Sequence, residues 1–128
     1  MIKRVGRIAA VSFAFALVAV GIGSPAMAHD TRLDGPYACG PTYLQSCGYG
    51  QVRSSHTIVD ACDTRADGFG YYVDYTLNNG ATGSVSDGNG STSGCGIKQV
   101  GTSSNPVWQY RVCSNQGLVH VCSGYKFA

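Results

Sequence analysis

Hydrophobic and polar positions divide the chain into two regimes. Residues 8–22 run without a charge, and only Ser12 and Gly21 are not hydrophobic. Beyond them no helical period recurs, and the clearest pattern has period two. Tyr71, Val73, Tyr75 and Leu77 alternate with Tyr72, Asp74 and Thr76, which predicts a half-buried strand. Asn78-Asn79-Gly80 then fits a three-residue hairpin loop with Gly80 left-handed, a register that sets Val73 opposite Val85. Further strands are expected over 51–62 and near 95–100, 107–113 and 119–127. Short strands between Gly, Asn and Asp turns predict an all-β fold. The expected architecture is a small antiparallel sandwich or barrel of about six strands. Pro36, Pro41 and the glycines at 35, 40, 48 and 50 interrupt 29–50, which reads as an irregular arm preceding a β core over 51–128.

The ends of the apolar run give it a meaning. Lys3, Arg4 and Arg7 precede it, Gly23-Ser24-Pro25 breaks it, and Ala26-Met27-Ala28 supplies small residues for cleavage. This is the three-part pattern of an export signal over 1–28, and the run is shorter than the ~20 residues that span a bilayer. His29 follows the expected cut; a lipid anchor would need Cys there. The expectation is a secreted, extracellular single domain over 29–128, with no membrane attachment after cleavage. Three of the nine basic residues leave with the signal, so six face seven acidic residues in the mature chain. That balance lacks the clustered positive field of a nucleic-acid binder. All seven acids are Asp, which excludes His-Glu-x-x-His metalloprotease and Glu-based glycosidase chemistry.

Cys39, Cys47, Cys62, Cys95, Cys113 and Cys122 all lie in the mature region. An even number in an exported chain reads as three disulfides. No Cys-x-x-Cys pair is present, against a zinc site. If Cys113 and Cys122 face each other across a hairpin, positions summing to 235 are opposed. Tyr110 then meets Tyr125 and Trp108 meets Phe127, which places those aromatics on one face and the disulfide on the other. That face is expected to be core, the alternative being an exposed platform for sugar rings or a partner protein. Cys39–Cys47 would close a small loop, leaving Cys62–Cys95 to tie distant strands.

Candidate chemistry is thin. Asp63-x-Arg65-x-Asp67-Gly68 half matches a calcium loop. Arg65 stands where a ligand oxygen belongs, so an ion pair of Arg65 with Asp63 or Asp67 is expected instead. His56 and Asp60 would share a face of a strand over 51–62, but no nucleophile signature accompanies them. His120 reads as a surface histidine. No catalytic residue, metal or cofactor is expected. Tyr49, Tyr72, Trp108 and Tyr110 are the candidate contact residues, with the segments 37–49 and 87–93 as candidate contact loops.

Cys62-Asp-Thr-Arg-Ala-Asp-Gly68, Asp87-Gly-Asn-Gly-Ser91, Arg111-Val-Cys113 and Cys122-Ser-Gly-Tyr125 resemble small secreted proteins of actinobacteria over most of the mature region. The likeness implies export and brings no activity with it. Small β-sandwich α-amylase inhibitors and immunoglobulin-like chromoprotein apoproteins offer architectural analogy only; Trp108-Gln-Tyr-Arg111 does not keep the inhibitors' Trp-Arg-Tyr order. The resulting expectation is a non-catalytic extracellular binding module for a protein or glycan, an enzyme inhibitor being one form of it. A small hydrolase and a carbohydrate-binding module are the alternatives.

Overall fold

A computed structural model describes residues 29–36, 38–39, 45–66, 68–89, 92 and 94–128. Its strands are β1 (Thr31–Asp34), β2 (Ala38–Cys39), β3 (Gln45–Ser46), β4 (Gly48–Arg53), β5 (Ile58–Asp63) and β6 (Gly70–Leu77). They continue with β7 (Thr82–Ser86), β8 (Gly96–Gln99), β9 (Val107–Gln116), β10 (Val119–Cys122) and β11 (Lys126–Phe127). One antiparallel sheet has the order β1-β4-β5-β8, and the other has β10-β9-β6-β7 with β11 also on β9. The sheets pack face to face as a sandwich, as the short alternating strands predict.

Alternation decides which side chains meet between the sheets. Val52, Val59 and Ala61 point inward from one sheet, and Tyr71, Val73, Val85, Tyr110 and Val112 from the other. Gly50 works here as a packing notch: a Cβ on it would stand 2.5 Å from Val73 Cγ2 and 2.8 Å from Val112 Cγ2. Tyr71 lies against Gly48 in the same way. Glycines that read as breakers of an arm therefore sit inside a strand and let the sheets approach closely.

Several local expectations are realised. Val73 opposes Val85, and Gly80 takes φ +87° in the loop that joins β6 to β7. Cys113 opposes Cys122 in the β9–β10 ladder and is bonded to it. Gly117 at φ +76° with Leu118 forms the two-residue turn between them, the arrangement in which glycine leads a type II′ turn. Cys62–Cys95 is formed and ties β5 to the residue just before β8, one step beyond the Ala61–Gly96 pair. The Cys39–Cys47 pairing rests on Cys39, whose side chain lies outside the described residues.

Three expectations are corrected. The region 51–62 is a hairpin and not one strand, because Ser54, Ser55 and His56 take left-handed backbone and reverse the chain. The region 29–50 is not wholly irregular, because Thr31–Asp34 pairs along β4. The aromatic face is redistributed by two irregularities in β9 and its partners. Thr76 opposes Gln109 but Leu77 opposes Val107, so Trp108 is an extra residue and Val107 turns to the core in its place. The pairs sum to 235 as far as Ser123, whose N–H donates to the Val112 carbonyl at 2.8 Å. Lys126 then opposes Tyr110 and Phe127 opposes Gln109, so Gly124 and Tyr125 together stand opposite Arg111. A single extra residue flips every following side chain to the other face.

Candidate functional site

The two bulges create a surface from residues expected in the core. Trp108 is 53 % exposed, Tyr125 51 % and Phe127 65 %, while Tyr110 is fully buried. Trp108 and Phe127 meet edge to face with ring centroids 5.3 Å apart, and the Trp108 carbonyl accepts the Ala128 N–H at 3.1 Å. Tyr110 is therefore a core residue and not a contact residue. Burial raises its phenol pKa above the ordinary tyrosine value, with the neighbouring Thr31 hydroxyl acting in the opposite direction.

Beside these rings the outer face of the five-stranded sheet is polar. Arg111 and Asp74 are register partners. Arg111 Nη2 and Nε donate to Asp74 Oδ2 at 3.0 and 3.1 Å. The same guanidinium lies 5.0 Å from the Tyr125 ring centre, a cation–π contact. Asp74, Thr82, Ser84 and Tyr125, with Tyr75 and Gly83, line a cavity of about 390 Å³. Tyr72 is half-buried one register step away, its hydroxyl 3.0 Å from His120 Nδ1. Burial raises the Tyr72 pKa first, the Asp74 charge adds to this, and Arg111 opposes it.

Tyr49 occupies a different place. It lies on the outer side of β4 in the other sheet, with the Arg32 guanidinium 3.6 Å above its ring. The four candidate contact residues therefore do not form one site: Trp108 and Tyr72 lie on the five-stranded sheet, Tyr49 on the four-stranded sheet, and Tyr110 between them. Tyr125, Phe127, Arg111 and Asp74 are the surface residues that sequence reasoning missed. The Gly at position 124 before Tyr125 was the one local signal of a bulge.

The other candidates are also resolved. His56 lies in the turn before β5, and Asp60 bonds Arg53 Nε at 2.7 Å, so these two do not share the face a catalytic pair requires. Asp63 Oδ1 accepts the Arg65 backbone N–H at 3.0 Å, an Asx turn; Asp67 lies outside the described residues. Much of the candidate contact segments 37–49 and 87–93 lies outside them too. Asp87, at the start of the second, is buried with Oδ2 accepting the Asp63 N–H at 2.8 Å. Asp74, Cys113 and Cys122 bring potential metal ligands within 4.8 Å, but both sulfurs are consumed by a disulfide. No protein-family model, curated protein or solved structure matches the chain.

Proposed function

We propose that the protein is a secreted, non-catalytic binding module whose ligand, a polysaccharide chain, lies along the outer face of the five-stranded sheet. The observation that carries this reading is the exposure of Trp108, Tyr125 and Phe127 beside the Asp74–Arg111 pair. Large rings gathered at a surface mark an interaction site. A sugar ring presents a C–H face that packs on an aromatic ring and a rim of hydroxyls that needs donors and acceptors. The strip offers both, because Asp74, Thr82 and Ser84 line the cavity next to Tyr125. Export is part of the proposal, supported by the leader pattern and by the two cross-strand disulfides, which persist in oxidising compartments.

Affinity electrophoresis through gels containing cellulose, chitin, xylan or α-glucan derivatives tests the ligand class. Retarded migration on one of them is expected, weakened about tenfold or more in Trp108→Ala, as for a central aromatic contact. Migration unaffected by the whole panel, together with capture of a secreted enzyme that Trp108→Ala abolishes, would transfer this surface to the inhibitor reading.

A further inference from the structure

Two histidines that the sequence pattern leaves unrelated meet at one end of the sandwich. Thr31 pairs with Val52 in the β1–β4 ladder, so antiparallel pairing carries residues 29 and 30 to the turn that leaves β4. Asp30 Oδ1 accepts the Ser54 N–H at 3.2 Å and ties the two segments together. His56 Nε2 lies 3.2 Å from the His29 carbonyl oxygen. The two imidazoles stand edge to face with centroids 5.3 Å apart.

The turn that presents His56 runs against the preference of L-residues. Ser54, Ser55 and His56 have φ of +53°, +59° and +62°, with no glycine among them. Left-handed backbone costs roughly 1–2 kcal/mol for each such residue. The surroundings hold it: the Thr57 N–H donates to the Arg53 carbonyl at 3.2 Å, Thr57 Oγ1 donates to the Ser54 carbonyl at 2.7 Å, and the His56 carbonyl accepts the Val107 N–H at 2.7 Å. Strain of this kind concentrates at functional sites. Here it fixes the direction of His56 toward His29.

The next step rests on the export reading. Cleavage after Ala28 would make His29 the amino-terminal residue and turn its amide nitrogen into a primary amine. The α-amine and Nδ1 of an amino-terminal histidine close a chelate ring on one metal ion. Backbone bond lengths put that amine only about 3 Å from its own carbonyl oxygen, the atom His56 Nε2 already faces. With metal–nitrogen bonds of about 2.0–2.1 Å, two imidazoles on one ion have centroids roughly 4.5–6.3 Å apart, and the observed 5.3 Å lies within that interval.

We infer that the exported protein binds one divalent copper ion through the His29 α-amine, the His29 imidazole and the His56 imidazole. Copper is the fitting ion because the donors are all nitrogen and Cu(II) heads the divalent order at such sites, with a preference for tetragonal nitrogen sets. None of the described cysteines is free to offer a thiolate. The expectation of no metal, drawn from cysteine spacing and the calcium-like loop, considered neither a terminal amine nor a pair of histidines from separate segments. The site forms only when the leader is removed, so the uncut chain would not hold the ion.

The test uses the full chain expressed with its leader and recovered from the medium. Terminal sequencing is expected to return His29 first. The protein is expected to take up one equivalent of Cu(II), with nitrogen hyperfine structure in its frozen-solution electron paramagnetic resonance spectrum. His56→Asn keeps a residue that tolerates the left-handed region and is expected to weaken Cu(II) affinity at least about 100-fold, the upper end of what losing an outer-shell partner alone costs. One extra glutamine between Ala28 and His29, cyclised to pyroglutamate after the cut, retains both imidazoles, leaves no terminal amine and is expected to do the same with no change in thermal midpoint. His120→Ala is expected to leave affinity and spectrum unchanged. If His29 is first and the pyroglutamate-blocked or His56→Asn chain binds Cu(II) as tightly as the native one, the copper site is overturned and export stands. Any other first residue removes the His29 amine and overturns the copper site; a chain that stays in the cells with its leader uncut overturns the export reading.

Discussion

Trp108 is the one tryptophan in the chain, and its exposure makes the surface readable by fluorescence. A red-shifted emission, quenched by acrylamide in the folded protein, is expected; a blue-shifted, protected emission would return Trp108 to the core and remove the ledge. Gly50 makes the opposite kind of statement. Its missing Cβ is the space that Val73 and Val112 fill, so Gly50→Ala is expected to destabilise the fold by about 1–3 kcal/mol, the ordinary consequence of overpacking, measured by urea denaturation. Tyr110 sets an alkaline limit. Burial raises its pKa in the folded state, while the unfolded chain titrates near the ordinary value of about 10. The folded state then keeps a proton that the unfolded chain loses. This stabilisation is complete below about pH 10 and disappears as pH rises through the folded pKa. The urea midpoint is expected to fall above that pH, and to fall less in Tyr110→Phe.

At the scale of elements, β9 organises both faces. It pairs with β6 on one side and with β10 and then β11 on the other. The extra residue between Ser123 and Lys126 brings Phe127 to the outer face, where it meets Trp108. Deleting Gly124 is expected to remove the bulge, set Tyr125 directly opposite Arg111, keep Phe127 opposite Gln109 and leave the Trp108 band in near-ultraviolet circular dichroism in place. A lost band would show that the stacking depends on the bulge itself. The register up to the disulfide was legible because the turn, the cysteine spacing and the period of two all agree on it. The bulges were not, because nothing in 107–109 and only Gly124 in 123–126 distinguishes an inserted residue from a continuing strand until β9 is paired with its neighbours.

For the whole molecule, the two described disulfides differ in reach. Cys62 and Cys95 are 33 residues apart, and Cys113 and Cys122 are 9 apart. Chain entropy assigns roughly 4 kcal/mol to the longer loop and roughly 2.5 kcal/mol to the shorter. The pair of changes Cys62→Ser and Cys95→Ser is therefore expected to lower unfolding free energy by about 1 kcal/mol more than Cys113→Ser with Cys122→Ser. Equal losses in urea titrations would assign the stabilisation to native contacts around the sulfurs. Molecular scale also explains the aromatic ledge: the sandwich offers one interior, and Tyr71, Tyr110 and seven aliphatic or cysteine side chains with Val85 already fill it. Trp108, Tyr125 and Phe127 are left on the outside.

What the sequence determined by itself is what short-range physics determines. Period-two alternation defines the strands of an all-β fold, Gly80 marks a turn that needs left-handed backbone, and the cysteine spacing implies the 113–122 bridge. Leader pattern and charge balance likewise need no fold to be read. Tertiary structure alone decided which face each side chain takes beyond a bulge, because one inserted residue reverses the alternation that sequence reasoning extrapolates. It also decided that Gly48 and Gly50 are packing notches, and that His29 and His56 meet. Those facts depend on residues far apart in the chain being brought side by side, a relation that no local pattern encodes.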